Sequence, residues 1–170
     1  MMLTRIFWIN GPWKGRLALS ARPRGGDWLE DEIAAWREAG IDLILSHLTR
    51  EEESDLDLLR EKQEVVQCGM RFISFPVPDR ETPGSVSEAL STFETLNKAL
   101  SEGKNSLVHC RQGIGRAALS AVCLLILKGI SVDEALRIVS DARGVQVPET
   151  EAQRCWIDDF DSRLVGTSTV

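Results

Sequence analysis

A chain of 170 residues is long enough for one domain with a sizeable core and too short for two comfortable ones. Its formal charge of −6 and pI near 5.0 argue against a general nucleic-acid binder or a protein drawn to acidic membranes, although a local basic site can exist on an acidic surface. Apolar residues at 43% and charged residues at 27% are the proportions of an ordinary globular chain, not of a disordered or lipid-embedded one.

Taken in chain order, Met1 to Arg5 show no basic segment followed by an apolar stretch and cleavage site, so a secretory leader is not expected. Runs rich in β-forming residues fall at Arg5–Ile9, Arg16–Ser20, Ile41–Ser46, Arg71–Phe75 and Ser106–His109, and the last three each follow a helical pattern. Between the second and third, the loop Arg22-Pro23-Arg24-Gly25-Gly26 reads as solvated, with contact to an anionic substrate as the alternative. A helix over 50–67 opens with Glu51-Glu52-Glu53, which reads as a solvated first turn suited to the helix dipole rather than as a metal site. Asp27 with Glu30, Ser85 with Glu88 and Ser131 with Glu134 have the spacing of capping boxes. Gly40, Gly69, Gly103, Gly129 and Gly144 stand where helices should stop.

After Ser106–His109 the patterns 115–128, 131–142 and 149–163 are helical, with no further strand. Ala117 to Leu127 is the longest apolar-leaning run, about half the roughly twenty residues a membrane span needs, and reads as a core helix. Trp8, Trp13, Trp28, Trp36 and Trp156 read as core or edge packing. The expected fold class is therefore α/β: one domain over residues 1–170, with a central, mostly parallel sheet of about five strands flanked by helices and a helical C-terminal third. The strand at 106–109 should be central.

The chemistry concentrates at His109-Cys110-Arg111-Gln112-Gly113-Ile114-Gly115-Arg116, directly after Ser106-Leu107-Val108 and before the apolar helix. A strand delivers Cys110 to a turn, two glycines let the backbone close tightly, and the turn empties into a helix N-terminus whose unpaired N–H groups favour an anion. The same field favours a thiolate, the nucleophilic form. Arg116 adds a planar donor fork suited to phosphate, and the N–H groups from Arg111, Gln112, Gly113, Ile114, Gly115 and Arg116 are candidates to hold its oxygens. Cys68, Cys110, Cys123 and Cys155 share no Cys-x-x-Cys spacing, and His47 and His109 form no metal-ligand pattern with them. Free thiols in a reducing cytoplasm, and no metal, are expected.

The string closely resembles the signature of the cysteine-dependent protein tyrosine and dual-specificity phosphatases, His-Cys-x5-Arg with glycines at the third and fifth positions after the cysteine. Phosphate-ester cleavage also needs a proton donor for the departing oxygen. Asp79, in Phe75-Pro76-Val77-Pro78-Asp79-Arg80-Glu81-Thr82-Pro83, is ordinary turn chemistry when read alone. Joined to the cysteine signature, its position resembles the general-acid loop of dual-specificity phosphatases of the kinase-associated kind. The resemblance implies that Cys110, Arg116 and Asp79 are catalytic, with Glu81 in reserve.

The resemblance also implies a cysteinyl-phosphate intermediate, a phosphoprotein or phosphopeptide substrate and no cofactor; a monomer is expected, and the acidic charge speaks against a nucleic-acid partner. His109 matches the family's histidine, which tunes the thiolate through the loop's hydrogen bonds; a satisfied core histidine is the other reading. Gln153 corresponds to a family glutamine that positions the hydrolytic water, or is a plain helix-surface glutamine. His47 has no motif and reads as structural, and Cys68, Cys123 and Cys155 as inert buried thiols.

Ala117 departs from the Ser or Thr most members place after the arginine and matches the PRL-type phosphatases. It puts turnover of the phosphoenzyme in question, and with it raises a phosphoprotein-binding module of slow turnover as an alternative. A phosphoinositide or inositol-phosphate hydrolase is another, although such relatives often carry lysines where Gln112 and Ile114 stand. A rhodanese-like domain is a third, but its sulfurtransferase loop is one residue shorter.

Overall fold

The computed structural model describes residues 3–167; Met1 and Met2, the start of the segment read for a leader, lie outside the described residues. Five short aliphatic runs pair into one sheet: β1 (Ile6–Ile9), β2 (Leu17–Ala21), β3 (Leu43–Ser46), β4 (Arg71–Ser74) and β5 (Ser106–Cys110), in the order β1-β2-β5-β3-β4. β1 is antiparallel to β2 and every other pairing is parallel, so β3, β4 and β5 are each reached by a crossover carrying helices. β5 is central, as expected, and all five of its residues are buried. Its register sets Ala21 beside Cys110 and Ser46 beside His109, placing the thiol at the carboxyl ends of the parallel strands.

Alternation along the strands gives the sheet two different cores. Leu17, Leu19, Leu43, Leu45, Val108 and Cys110 belong to the larger cluster, covered by α4 (Val86–Ser101), α5 (Arg116–Ile126), α6 (Val132–Arg143) and α7 (Glu151–Thr167). Ala18, Ile44 and Leu107 belong to the smaller one, covered by α1 (Leu29–Glu38) and α3 (Glu61–Gln67). Every residue of α5 is buried, Arg116 and Ser120 included, so this helix is fixed on all sides directly behind the cysteine turn. An edge-on aromatic series, Phe75 to Phe93 at 6.4 Å and Phe93 to Phe160 at 5.9 Å between ring centres, ties the end of β4 to α4 and α7.

The punctuating glycines do what their positions predict: Gly40, Gly69, Gly103, Gly129 and Gly144 all have positive φ. Two expectations fail locally. The single helix over 50–67 is two, α2 (Arg50–Asp55) and α3, separated by Asp57 at φ 56°. The break drives Leu58 fully into the smaller core and lets the Asp57 carbonyl accept the Gly26 N–H at 3.1 Å, gains that outweigh helix continuity. The Asp27 and Glu30 pair forms no capping box, because Asp27 lies inside a 3₁₀ turn and α1 begins after Trp28 without a side-chain cap. Ser85 and Ser131 do accept the N–H groups of Glu88 and Glu134. The reciprocal box forms instead at Thr49 and Glu52.

Candidate active site

Cys110 is the last residue of β5 and is 3% exposed; the turn Arg111–Gly115 carries the chain into α5. Gly113 has φ 76°, and a Cβ there would lie 2.6 Å from the Ser20 carbonyl oxygen, so both conformation and the approach of β2 demand glycine. The Gly113 N–H donates to Cys110 Sγ at 3.3 Å, tying the turn back onto the thiol. No side chain caps α5 at Gly115, which leaves the N–H groups of its first turn for an anion. The loop is braced from outside: Arg22 N–H donates to the Arg111 carbonyl at 3.3 Å and Arg143 Nη2 to the Gln112 carbonyl at 3.1 Å. Ile114 packs against the larger core, while the side chains of Arg111 and Gln112 are exposed.

Arg116 opens α5 and its guanidinium organises everything nearby. Nη1 donates to Glu52 Oε2 at 2.8 Å, to the Val77 carbonyl at 2.7 Å and to the His47 carbonyl at 3.3 Å. Nη2 donates to Glu52 Oε1 at 2.9 Å and to Asp79 Oδ1 at 3.0 Å. Nε makes no hydrogen bond among the described residues. Burial opposes the arginine's charge, but Glu52, Cys110 and Asp79 more than offset it and hold the group above its ordinary value.

Glu52 corrects the reading of Glu51-Glu52-Glu53 as a uniformly solvated turn. Glu51 is exposed and Glu53 pairs with Arg50, but Glu52 is buried and forms a two-bond fork with Arg116. Burial would raise its carboxyl, yet the bonds from Arg116 and Thr49 outweigh that and hold it below the usual range. The signal was present: Thr49-x-x-Glu52 is a capping box, which turns the third helical residue back onto the helix start and here toward the arginine.

Asp79 sits on the loop after β4, its side chain 46% exposed. The loop is pinned on either side of it. The Val77 N–H donates to the His47 carbonyl at 3.1 Å, and the Glu81 N–H closes a turn onto the Pro78 carbonyl at 3.0 Å. Arg80 occupies that turn at φ 64°, where glycine or asparagine is usual, and Glu149 holds its guanidinium at 2.7 Å. Glu81, the reserve acid, makes no side-chain hydrogen bond among the described residues.

Gln153 is not a helix-surface residue. It is fully buried, receives the Thr150 N–H on Oε1, donates Nε2 to the Glu81 carbonyl at 3.1 Å, and lies where a Cβ on Gly115 would approach Nε2 to 3.0 Å. It therefore spans the aspartate loop and the cysteine turn.

The two histidines are both sealed in. The Phe75 carbonyl can only accept, which places the proton of His47 on Nδ1 at 2.8 Å, so Nε2 accepts the Ser120 hydroxyl at 2.6 Å. Burial above all lowers the His47 pKa to about 4, keeping the ring neutral while it joins the aspartate loop to α5. His109 points to the α1 and α3 side of the sheet, its ring centre 5.8 Å from that of Trp36, and its Nε2 meets Glu61 at 2.6 Å. Its Nδ1 stands 3.5 Å from the Cys110 carbonyl oxygen. The Glu61 partner was not foreseen.

Among the remaining candidates, Cys123 is buried and its thiol pushed well up by that burial, but Cys68 is half-buried and Cys155 exposed, contrary to the expectation for both. Arg24 is no free anion contact, since it pairs with the buried Glu32 and lies over Trp28. Trp28 is an exposed edge residue.

A buried thiol at the end of a central parallel strand, facing a helix start and a forked arginine, defines the class as a cysteine-loop phosphatase of the protein-tyrosine-phosphatase-like fold. The model described as PTP-SAK, Swiss Army Knife protein, DSP-PTPase phosphatase domain, matches residues 5–155. The chain belongs to this dual-specificity phosphatase family. Cyclin-dependent kinase inhibitor 3 of Homo sapiens is 29% identical over 130 residues, 75% of this chain and 61% of that protein, so the chain spans less than two thirds of its relative's length. The crystal structure of a kinase associated phosphatase with its catalytic site cysteine replaced by serine superposes with a TM-score of 0.88 at 25% identity, covering 97% of this chain and 98% of that one. PTPMT1 in complex with PI(5)P shares the fold, with a TM-score of 0.76 at 15% identity over 95% of this chain and 99% of that one.

Proposed function

We propose that this chain hydrolyses phosphomonoesters on phosphoproteins, phosphotyrosine and also phosphoserine or phosphothreonine, through a cysteinyl-phosphate on Cys110. The observation that carries the reading is the shared guanidinium. Arg116 stands on the helix that follows the Cys110 turn and is hydrogen-bonded to Asp79, the expected acid.

An incoming phosphate dianion takes Arg116 Nε and the Nη2 proton that Asp79 now accepts, together with the N–H groups of the turn. The Cys110 thiolate attacks phosphorus; the S–P bond forms, the P–O bond to the substrate breaks, and Asp79, displaced from Arg116 and carrying a proton taken up from solvent, gives that proton to the leaving oxygen. Water then attacks phosphorus, Asp79 takes its proton, and the S–P bond breaks to release inorganic phosphate and the thiolate. Little covalent work falls to the protein beyond this; positioning and charge stabilisation of the equatorial oxygens carry the rate. Gln153, between Glu81 and Gly115, is assigned to hold the hydrolytic water.

Ala117 supplies no hydroxyl beside Cys110, and its side chain is fully buried, so breakdown of the phosphoenzyme is the step assigned to be slow. The test is hydrolysis of an aryl phosphate and of phosphotyrosine and phosphothreonine peptides in the presence of a chelator. Wild type should turn over repeatedly and Cys110→Ser not at all; activity in Cys110→Ser would overturn the mechanism. A burst of product equal to enzyme with no further turnover would show a trapping module instead.

A further inference from the structure

When phosphate takes the Arg116 Nη2 proton, Asp79 loses the one hydrogen bond its carboxyl makes among the described residues. What then keeps the acid near the leaving oxygen must act through the loop that carries it. Before Asp79 the chain is fixed at Val77, whose carbonyl accepts from Arg116 Nη1 and whose N–H donates to the His47 carbonyl. After Asp79 the anchors come from the approach to α7 and its first turn. Glu149 Oε1 accepts Arg80 Nη1 at 2.7 Å, and Gln153 Nε2 donates to the Glu81 carbonyl at 3.1 Å.

Arg80 depends on that anchor. Its φ of 64° lies in the left-handed region, where a Cβ crowds the backbone and glycine is the usual residue, so it holds the turn against a local cost. Asp57 and Arg80 are the two non-glycine residues with positive φ among the described residues. Asp57 carries a short polar side chain of the kind that tolerates this conformation, whereas Arg80 has only its ion pair to offset the cost. An isolated exposed ion pair contributes little, and the Arg80 side chain is 61% exposed. The Glu149 side chain, however, is only 23% exposed and is pressed onto the cysteine turn, where a Cβ on Gly115 would stand 2.9 Å from its Oε2. One carboxylate thus contacts both halves of the site: the turn that follows the thiol and, through Arg80, the residue next to the acid.

We propose that Arg80 and Glu149 form a clamp that holds Asp79 over the cysteine turn once phosphate has displaced it from Arg116, which makes both of them positioning residues for proton transfer. This rests on the phosphatase reading of Cys110 and Asp79. Both act on the reaction through Asp79, so their loss should matter in proportion to how much the leaving oxygen needs a proton. The Arg80 charge alone would act on Asp79 with or without Glu149; a clamp requires both.

The test uses the full chain with Arg80→Gly, which keeps the favoured turn conformation but removes the anchor, with Glu149→Gln, and with the two combined. In each, kcat/KM should fall about tenfold on a phosphate ester whose alcohol pKa is about 10, and less than about twofold on one whose alcohol pKa is about 5. The double variant should lie within about twofold of either single one, because all three break the same bond, and Arg80→Lys should recover part of the loss by placing a point charge on the same carboxylate. Equal losses on the two esters, or losses that multiply in the double variant, would overturn the clamp. A readout free of turnover is amide exchange at Glu81, whose N–H closes the turn onto the Pro78 carbonyl at 3.0 Å, in the presence of inorganic phosphate. Exchange should be about tenfold faster in Glu149→Gln than in wild type, and an unchanged rate would overturn the clamp. Failure of wild type to hydrolyse any ester would count against the phosphatase reading and not against the clamp, because the exchange rate is measured separately.

Discussion

Glu52 and Asp79 both accept hydrogen bonds from Arg116, but from opposite kinds of support. Glu52 reaches the guanidinium from a helix start locked by its own capping box, is buried, and takes one donor from each terminal nitrogen. Asp79 reaches it from a turn, is nearly half exposed, and takes a single donor. With Val77 and His47 also holding Nη1, the arginine's fork is fixed on the Glu52 side and exchangeable on the Asp79 side. The same carboxylate chemistry therefore suits a positioning role in one place and the proposed proton transfer in the other, the difference lying in how many bonds a ligand must break.

Breaking the fixed side should do most damage. Glu52→Ala leaves a buried guanidinium without its main counter-charge and should cost about 3 kcal/mol in urea denaturation, with a fall of about 10³-fold in kcat/KM. Breaking the exchangeable side should separate rate from stability: Asp79→Asn should lower kcat on an alkyl phosphate about 10²-fold while moving the denaturation midpoint by less than about 0.5 kcal/mol.

Acid should loosen the fixed side from a third direction. The folded His47 pKa, about 4, lies below the unfolded value of 6.5, so the unfolded chain binds the extra proton. The corresponding stability is complete above 6.5 and falls as pH drops toward 4, by about 1.4 kcal/mol at pH 5.5 for this one group. His47→Asn should flatten that part of the stability profile; an unchanged slope between pH 6.5 and 4.5 would remove His47 from the account. Glu52, held below the usual carboxylate range, adds its own loss only at lower pH, as its carboxylate protonates. Smallest of all, Ala117→Ser should speed phosphoenzyme breakdown by less than about tenfold, seen as a reduced burst relative to the steady state.

Much of this was legible in the sequence because it is local. Glycine punctuation, strand-helix alternation and the turn from Cys110 to Arg116 are set by neighbours in the chain, so the order of elements and the central place of β5 follow from pattern. What was not legible lies in long-range pairing. Glu52 looks like any acidic first turn until Arg116 arrives from α5, and Glu61 like a surface helix residue until His109 faces it from the central strand. Gln153 could be placed on a helix but not inside, since its burial depends on the aspartate loop and Gly115 closing over it. The split at Asp57 was hidden for the same reason: only the core position of Leu58 makes an interruption worthwhile.

The division between the two carboxylates is tested most directly by how kcat/KM, which reports the step that expels the leaving group, depends on that group over phosphate esters whose alcohol pKa runs from about 5 to about 10. Wild type should show a shallow dependence, Asp79→Asn a steep one, and Glu52→Gln a uniformly lower rate with the shallow slope retained. An Asp79→Asn slope equal to that of wild type, or a Glu52→Gln slope as steep as that expected for Asp79→Asn, would contradict the assignment of one carboxylate to proton transfer and the other to holding Arg116.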